Sequence, residues 1–255
     1  MNAKSCEGCR NTDPASFAIP FTMAFQPIVD ISAGAIWGYE ALVRGLGGEG
    51  APKVLSQVND QNRYAFDQAC RVKAIELAGR LIGDQHAKLS INFMPNAVYE
   101  PKACIRATLE AAARTQFDPR RLMFEFTENE RMSDAAHVAH IVAEYHRMGF
   151  TTALDDFGAG YAGLSLLTRF NTDLIKIDME LLRDIDGSRV KQAIVRGLVS
   201  MANELGIVLL AEGVESAAEL AFLKGAGIKL FQGYYFAKPQ LEAFTGLGEL
   251  THRAA

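Results

Sequence analysis

The sequence predicts an α/β fold, a TIM-like barrel of mostly parallel strands with one antiparallel strand near its N-terminus. Three observations predict it. Short apolar segments alternate with helical segments along most of the chain, the pattern of βα units around a parallel sheet. About eight such strands fit between residues 20 and 240 with no low-complexity linker, which suits a closed barrel better than an open sheet. Nearly every strand also carries a polar residue near its C-terminal end, and in a barrel those ends converge on one mouth.

Residues 1–19 are small and mostly polar, interrupted by Pro14, and form a flexible tail containing the C-x-x-C pair Cys6 and Cys9. Phe21–Val29 and Ala35–Val43 are strands joined by the turn-forming Asp30–Gly34. That link is too short for a crossover, so the two strands form an antiparallel hairpin. Arg63–Leu81 places Phe66, Ala69, Cys70, Ala74, Ile75 and Leu77 at helical spacing. Lys88–Phe93 is a strand, and Pro101–Arg114 is a helix opened by a proline. Leu122–Thr127 is a strand, followed by the helix Ser133–Met148 with Ser133 as its cap. The alternation continues with strand Thr151–Asp155, helix Ala162–Phe170, strand Leu174–Ile177 and helix Arg189–Leu205. Strand Ile207–Ala211, helix Ala217–Gly225 and strand Lys229–Tyr234 complete it. The domain is expected to span 20–247, with 248–255 a short C-terminal tail.

A net charge of −4 leaves no basic footprint, which argues against polymeric nucleic acid as a partner. No apolar run reaches the roughly 18 residues needed to cross a bilayer. Lys4 and Arg10 also lack the apolar stretch of a secretory signal. No membrane insertion is expected, and the cytoplasm is the default compartment. Cys6 and Cys9 supply at most half a zinc site. Incidental thiols are the plainer reading of that pair, with metal binding or redox sensing the alternative.

The chemistry starts at Leu154-Asp155-Asp156-Phe157-Gly158, two adjacent carboxylates where an apolar strand opens. Singly, such residues have ordinary explanations. Asp156 or Asp178 suits a turn or helix cap, Lys176 a snorkelling lysine, and Glu215 a helix N-terminus. Jointly, Glu40, Glu125, Asp155, Asp156 and Glu212 would bring five negative charges into one mouth against Lys176. Each like-charged pair about 4 Å apart costs roughly 4 kcal/mol at an effective dielectric near 20. Either protons or divalent cations must therefore bind. With Asn92 the donors are all oxygens and no histidine is among them, which favours magnesium or manganese over zinc.

In order along the chain stand Phe25-Gln26-Pro27-Ile28-Val29, Glu40-Ala41-Leu42-Val43-Arg44, Ile91-Asn92-Phe93-Met94-Pro95 and Glu125-Phe126-Thr127-Glu128. Leu154-Asp155-Asp156-Phe157-Gly158, Ile175-Lys176-Ile177-Asp178, Ala211-Glu212-Gly213-Val214-Glu215 and Gln232-Gly233-Tyr234-Tyr235-Phe236 with Pro239 follow. This ordered set resembles the EAL-domain phosphodiesterases, which hydrolyse cyclic di-GMP to linear pGpG on a modified TIM barrel.

The resemblance implies that Glu40, Asn92, Glu125 and Asp155 hold one cation. Asp155 would bridge to a second held with Asp156, with Glu212 nearby. A water between two Mg2+ or Mn2+ ions would attack phosphorus, and Lys176 would orient or deprotonate it. Arg44 would hold a phosphate and Gln26 a guanine, with Leu42, Asp178, Glu215, Gln232 and Pro239 among the substrate contacts. Glu128 would anchor the glycine-rich loop after Asp156, which the family couples to a homodimer interface. Ala159 and Ala162-Gly163 stand where the family often has Thr and Ser-Ser, changes that remove no ligand. The alternatives are a silent cyclic di-GMP receptor acting through a protein partner, and an unrelated magnesium-dependent barrel such as an enolase-like lyase.

Overall fold

The computed structural model describes residues 19–81, 86–95, 98, 100–127, 135–160 and 163–251. Cys6, Cys9, Glu128 and Ser133 lie outside the described residues.

Eight strands close a ring. β1 (Thr22–Asp30) pairs antiparallel with β2 (Ala35–Arg44) along its length and with β8 (Leu230–Phe231) at its C-terminal end. Between them run β3 (Lys88–Asn92), β4 (Leu122–Thr127), β5 (Thr151–Phe157), β6 (Leu174–Ile177) and β7 (Val208–Ala211). From β2 round to β8 every neighbour is parallel. A ninth strand, β9 (Gln240–Leu241), lies outside the ring against Ala24 and Phe25 of β1. The one antiparallel ring strand is therefore β1, as the short turn requires. Asp30 Oδ1 accepts the N–H groups of Ser32 (2.8 Å) and Ala33 (3.0 Å), closing a side-chain turn that leaves no room for a crossover helix.

Helices cover the ring: α1 (Ala51–Leu55), α2 (Arg63–Leu81), α3 (Pro101–Cys104), α4 (Arg106–Thr115), α5 (Ala135–Arg147), α6 (Gly163–Leu167), α7 (Met179–Leu182), α8 (Arg189–Leu205) and α9 (Ala217–Ala226). Compared with the sequence expectation, β5 runs on to Phe157, α6 ends at Leu167, and α1 and α7 are additional; two further differences have a visible cause. The single helix expected over Pro101–Arg114 is two segments meeting at the buried Ile105, whose ψ of −10° flattens the turn there. The last strand holds only Leu230 and Phe231, because Gly233 packs directly on the loop after β7. A Cβ at that position would lie 2.1 Å from Val214 O. Beyond residue 247, Leu250 is buried and Thr251 N–H donates to Phe236 O (2.8 Å).

Two apolar layers follow from the pleat. Ile28, Met123, Ala153, Leu174, Leu210 and Leu230 come from six different strands and pack together inside the ring. Their outward neighbours, among them Phe124, Leu154, Ile175, Leu209 and Phe231, join the larger core beneath the helices. There Phe93, Phe124, Tyr145 and Phe150 meet at ring distances of 5.0–6.0 Å, and each tilted or edge-to-face pair adds about 0.5–1.5 kcal/mol. Side chains on one face recur every second residue. Two positions beyond each inner-layer residue, toward the mouth, stand Glu125, Asp155, Lys176, Glu212 and Gln232. On the reversed β1 the same step runs backward to Gln26. The fold thus stacks a ring of polar side chains directly on an apolar plug.

Candidate metal centre and active site

Lys176 stands at the middle of that polar ring, 1% exposed. Its Nζ lies 2.8 Å from Glu212 Oε1, 2.9 Å from Glu125 Oε2, 3.1 Å from Asp155 Oδ1 and 3.5 Å from Glu40 Oε1. Burial alone would push the lysine pKa down, but these four carboxylates outweigh burial and hold it well above its ordinary value. One ammonium cannot neutralise them all. Burial pushes Glu125 up to about 8 against the pull of Lys176, and pushes Glu212 well above the ordinary carboxylate range. Asp156 is raised as well, first by burial and then by the neighbouring Asp155.

The donor atoms fit hard cations. Glu40, Glu125 and Asp155 each offer an oxygen within 4.8 Å of the others, and Asp155, Asp156 and Glu212 form a second such group. Asp155 belongs to both. Asn92 joins the first group through Nδ2, which donates to Glu40 Oε1 at 3.1 Å. Glu125 Oε1 is buried with no hydrogen-bond partner, an open acceptor of the kind a bound cation satisfies. Every carboxylate ligand atom is an oxygen, and Asn92 has its Oδ1 to add, as hard divalent cations require.

Local geometry aims these groups. Consecutive strand residues normally face opposite sides. At the two aspartates the β5–β6 register shifts between Leu154 and Phe157, and Asp156 takes a left-handed φ of 55°. This irregularity lets Asp155 and Asp156 face one site, as bulges beside active sites do. Thr127 Oγ1 donates to Asp156 Oδ2 (2.9 Å) and fixes that carboxylate. The exit of β3, which carries Asn92, is held from α2. Buried Asp67 Oδ1 accepts the N–H of Met94 (3.0 Å), and Oδ2 pairs with Arg71 Nη2 (2.7 Å). Sequence reasoning assigned no role to Thr127, Asp67 or Arg71. Thr127 lies in the Glu125–Glu128 motif, its only sequence signal.

A cavity of about 320 Å³ opens beside the carboxylates. Gln26, Leu42, Asp178, Glu215 and Gln232 line it together with Glu40, Asp156 and Glu212. Gln232 also stands behind a candidate ligand: its Nε2 donates to Glu40 Oε2 (2.8 Å) and Gln26 Oε1 (3.2 Å). Gln26 Nε2 donates in turn to Ala237 O (3.1 Å). Asp178 caps α7, accepting Glu180 N–H at 2.7 Å as a turn residue does, and it also lines the cavity. Two expected contacts are not among the lining residues. Arg44 turns its Nη1 to Val43 O (2.8 Å), and Pro239 directly precedes β9. A larger, mostly apolar cavity of about 590 Å³, bordered by α2, shares only Leu42 with the first.

The fold and this constellation define an α/β barrel with a cluster of carboxylates able to hold metal ions at its mouth. The EAL domain family model matches residues 18–239, and the chain belongs to that family. The blue light- and temperature-regulated antirepressor BluF of Escherichia coli K12 is 33% identical over 227 residues, covering 88% of this chain and 55% of that protein. Several other curated relatives carry the name cyclic di-GMP phosphodiesterase. The chain spans about half the length, or less, of the curated relatives it matches. A standalone versatile EAL protein from Vibrio cholerae O395, solved in its c-di-GMP-bound form, superposes with a TM-score of 0.86. It is 56% identical over 89% of this chain and 95% of its own. BlrP1 of Klebsiella pneumoniae, as a manganese and cyclic di-GMP complex at pH 6, gives a TM-score of 0.82. It is 37% identical over 89% of this chain and 57% of its own.

Proposed function

We propose that the protein is a metal-dependent phosphodiesterase that hydrolyses cyclic di-GMP to linear pGpG in bacterial second-messenger signalling. One observation carries the reading: every candidate ligand position is filled, and the two carboxylate groups share Asp155. Two divalent cations, Mg2+ or Mn2+, held by Glu40, Asn92, Glu125, Asp155, Asp156 and Glu212, would supply charge neutralisation at the phosphate and a water acidified for in-line attack.

The chain's own residues do the rest. Lys176, kept as an ammonium by its carboxylate cage, donates hydrogen bonds and orients; a base role would need its pKa brought far down. Arg44 offers a planar fork to a phosphate oxygen pair. Gln26, Gln232, Asp178 and Glu215 present polar groups to a guanine edge, and Leu42 and Pro239 present apolar surface to a base. Glu128, outside the described residues, is assigned by the family resemblance to the loop after Asp156, which would meet a second copy in a homodimer. Glu128→Ala should therefore lose most activity with an unchanged Tm, and full turnover in that variant would remove the assignment. The cytoplasm, where a soluble second messenger is met, is the proposed compartment. Among the described residues no helix is long and apolar enough to cross a membrane.

Incubation with cyclic di-GMP and Mg2+ or Mn2+ should yield pGpG. The receptor reading, with a regulatory protein partner, draws support from the antirepressor name of BluF. Binding without product in either metal would establish that reading. Neither binding nor product would end both.

A further inference from the structure

The loops after β6 and β7 form one wall of the smaller cavity, and a single buried carboxylate ties them together. Glu219 on α9 is 3% exposed. Its Oε2 accepts the backbone N–H groups of Glu215 (2.9 Å) and Ser216 (3.0 Å). Its Oε1 accepts the N–H of Asp184 (3.1 Å) and Nη1 of Arg183 (3.4 Å). Arg183 Nη2 donates to Gly213 O (3.2 Å) and lies 3.0 Å from Glu215 Oε1. The loops also touch directly. Gly213 has a φ of 63°, and a Cβ there would lie 2.4 Å from Met179 Cβ. Burial alone would raise the Glu219 pKa, but its backbone donors and Arg183 hold it below the ordinary carboxylate value.

Helix capping accounts for part of this. Ser216 and Glu219 form a capping box at the start of α9, with Ser216 Oγ accepting Glu219 N–H (3.2 Å). A capping box needs neither Asp184 nor Arg183, which belong to the preceding loop. It also does not need the grip on Glu215, one residue before the cap.

We propose that Glu219 and Arg183 are positioning residues that hold the two loops at a fixed spacing and aim Glu215 at the base of the substrate, so that they set base selectivity and not the chemical step. The inference rests on the cyclic di-GMP reading above. With Oε1 of Glu215 held by Arg183, Oε2 is left to accept from the N–H edge of a guanine. Adenine presents a ring-nitrogen acceptor at the corresponding edge and would be rejected.

The test compares wild type, Glu219→Gln, Arg183→Met and Arg183→Lys in Mn2+, with cyclic di-GMP as substrate and cyclic di-AMP as competitor. Glu219→Gln turns an acceptor into a donor facing backbone N–H groups. Arg183→Met removes the fork from a partly exposed side chain and should fold even if the buried variant does not. Both should raise KM by ~10-fold, the loss expected for a charged hydrogen bond, and weaken discrimination against cyclic di-AMP. In both, kcat should stay within about threefold, the signature of lost binding as opposed to lost chemistry. Arg183→Lys should recover part of the discrimination. Wild-type KM and discrimination with only a lower Tm would reduce the pair to a structural cap and overturn the inference. An equal fall in kcat and kcat/KM would overturn it too. Absence of turnover in the wild type overturns the proposed function and this inference with it, whereas wild-type turnover with unaltered variants overturns the inference alone.

Discussion

Asp155 and Asp178 both stand at the ends of apolar strands, yet their surroundings give them different work. Asp155 Oδ1 touches Lys176 at 3.1 Å and belongs to both carboxylate groups, while Asp178 Oδ1 caps α7. Asparagine caps a helix about as well as aspartate but is a poor substitute for a shared anionic ligand. Asp155→Asn should therefore lower turnover ~100-fold or more, the scale of removing one preorganised charge at a reacting centre. Asp178→Asn should cost less than about tenfold. Comparable losses in steady-state assays would remove the distinction. At this scale the sequence was legible where strand-end position alone decides, as for Glu125, Lys176 and Glu212. It was silent on Thr127 and Asp67, whose roles depend on which strand or helix lies beside them. Gln232 was read as a substrate contact, and its bond to Glu40 became visible only once β1 closed the ring between β8 and β2.

The strand that carries the two aspartates bends the rule that made it recognisable. Alternation marks Thr151–Leu154 as a strand, but no alternating strand aims two consecutive carboxylates at one site. The register shift and the left-handed Asp156 accomplish it. Glycine adopts that backbone without strain. Asp156→Gly should thus keep Tm within about 2 °C of wild type, or raise it, while cutting turnover at least ~10-fold through loss of an anionic ligand. Thermal melts and activity measured on the same preparation decide this, and a parallel fall in both would mean the bulge needs the aspartate for folding. Gly233 is the opposite case. A methyl there meets Val214 backbone at 2.1 Å, and overpacking of this kind costs roughly 1–3 kcal/mol or more. Gly233→Ala should lower Tm by roughly 2–12 °C in a thermal melt, and a wild-type melt would show that the β7 loop yields. That contact also explains why the last strand stops short of its predicted end. The sequence shows an apolar run from Leu230 but not the loop that covers it.

For the whole molecule, closure of the ring joins the fold to its chemistry. Strand–helix alternation and the short first turn made the barrel legible. The direction in which the strands converge supplied the polar mouth, because each inner apolar residue has its polar partner two positions away. What alternation could not give was the electrostatic state of that mouth, which depends on burial. Burial pushes Glu125 up to about 8 from the ordinary carboxylate value of 4.5, and pushes Glu212 in the same direction. The fold therefore prefers their neutral forms. For Glu125 that stability is fully present below about pH 4.5 and is lost as the pH rises through 8. Cations need the ionised carboxylates, so at lower pH they must displace protons to bind. The rise in Tm on adding Mn2+ should consequently be larger at about pH 8.5 than at about pH 6 for the same total metal. A hundredfold excess over Kd contributes about 2.7 kcal/mol, roughly 5–10 °C for a chain of this size. Asp155→Asn, lacking the shared ligand, should show a smaller rise at both values. An equal rise at both pH values in the wild type would mean that the cation binds without taking protons from the mouth, and the carboxylate cage would not be its site.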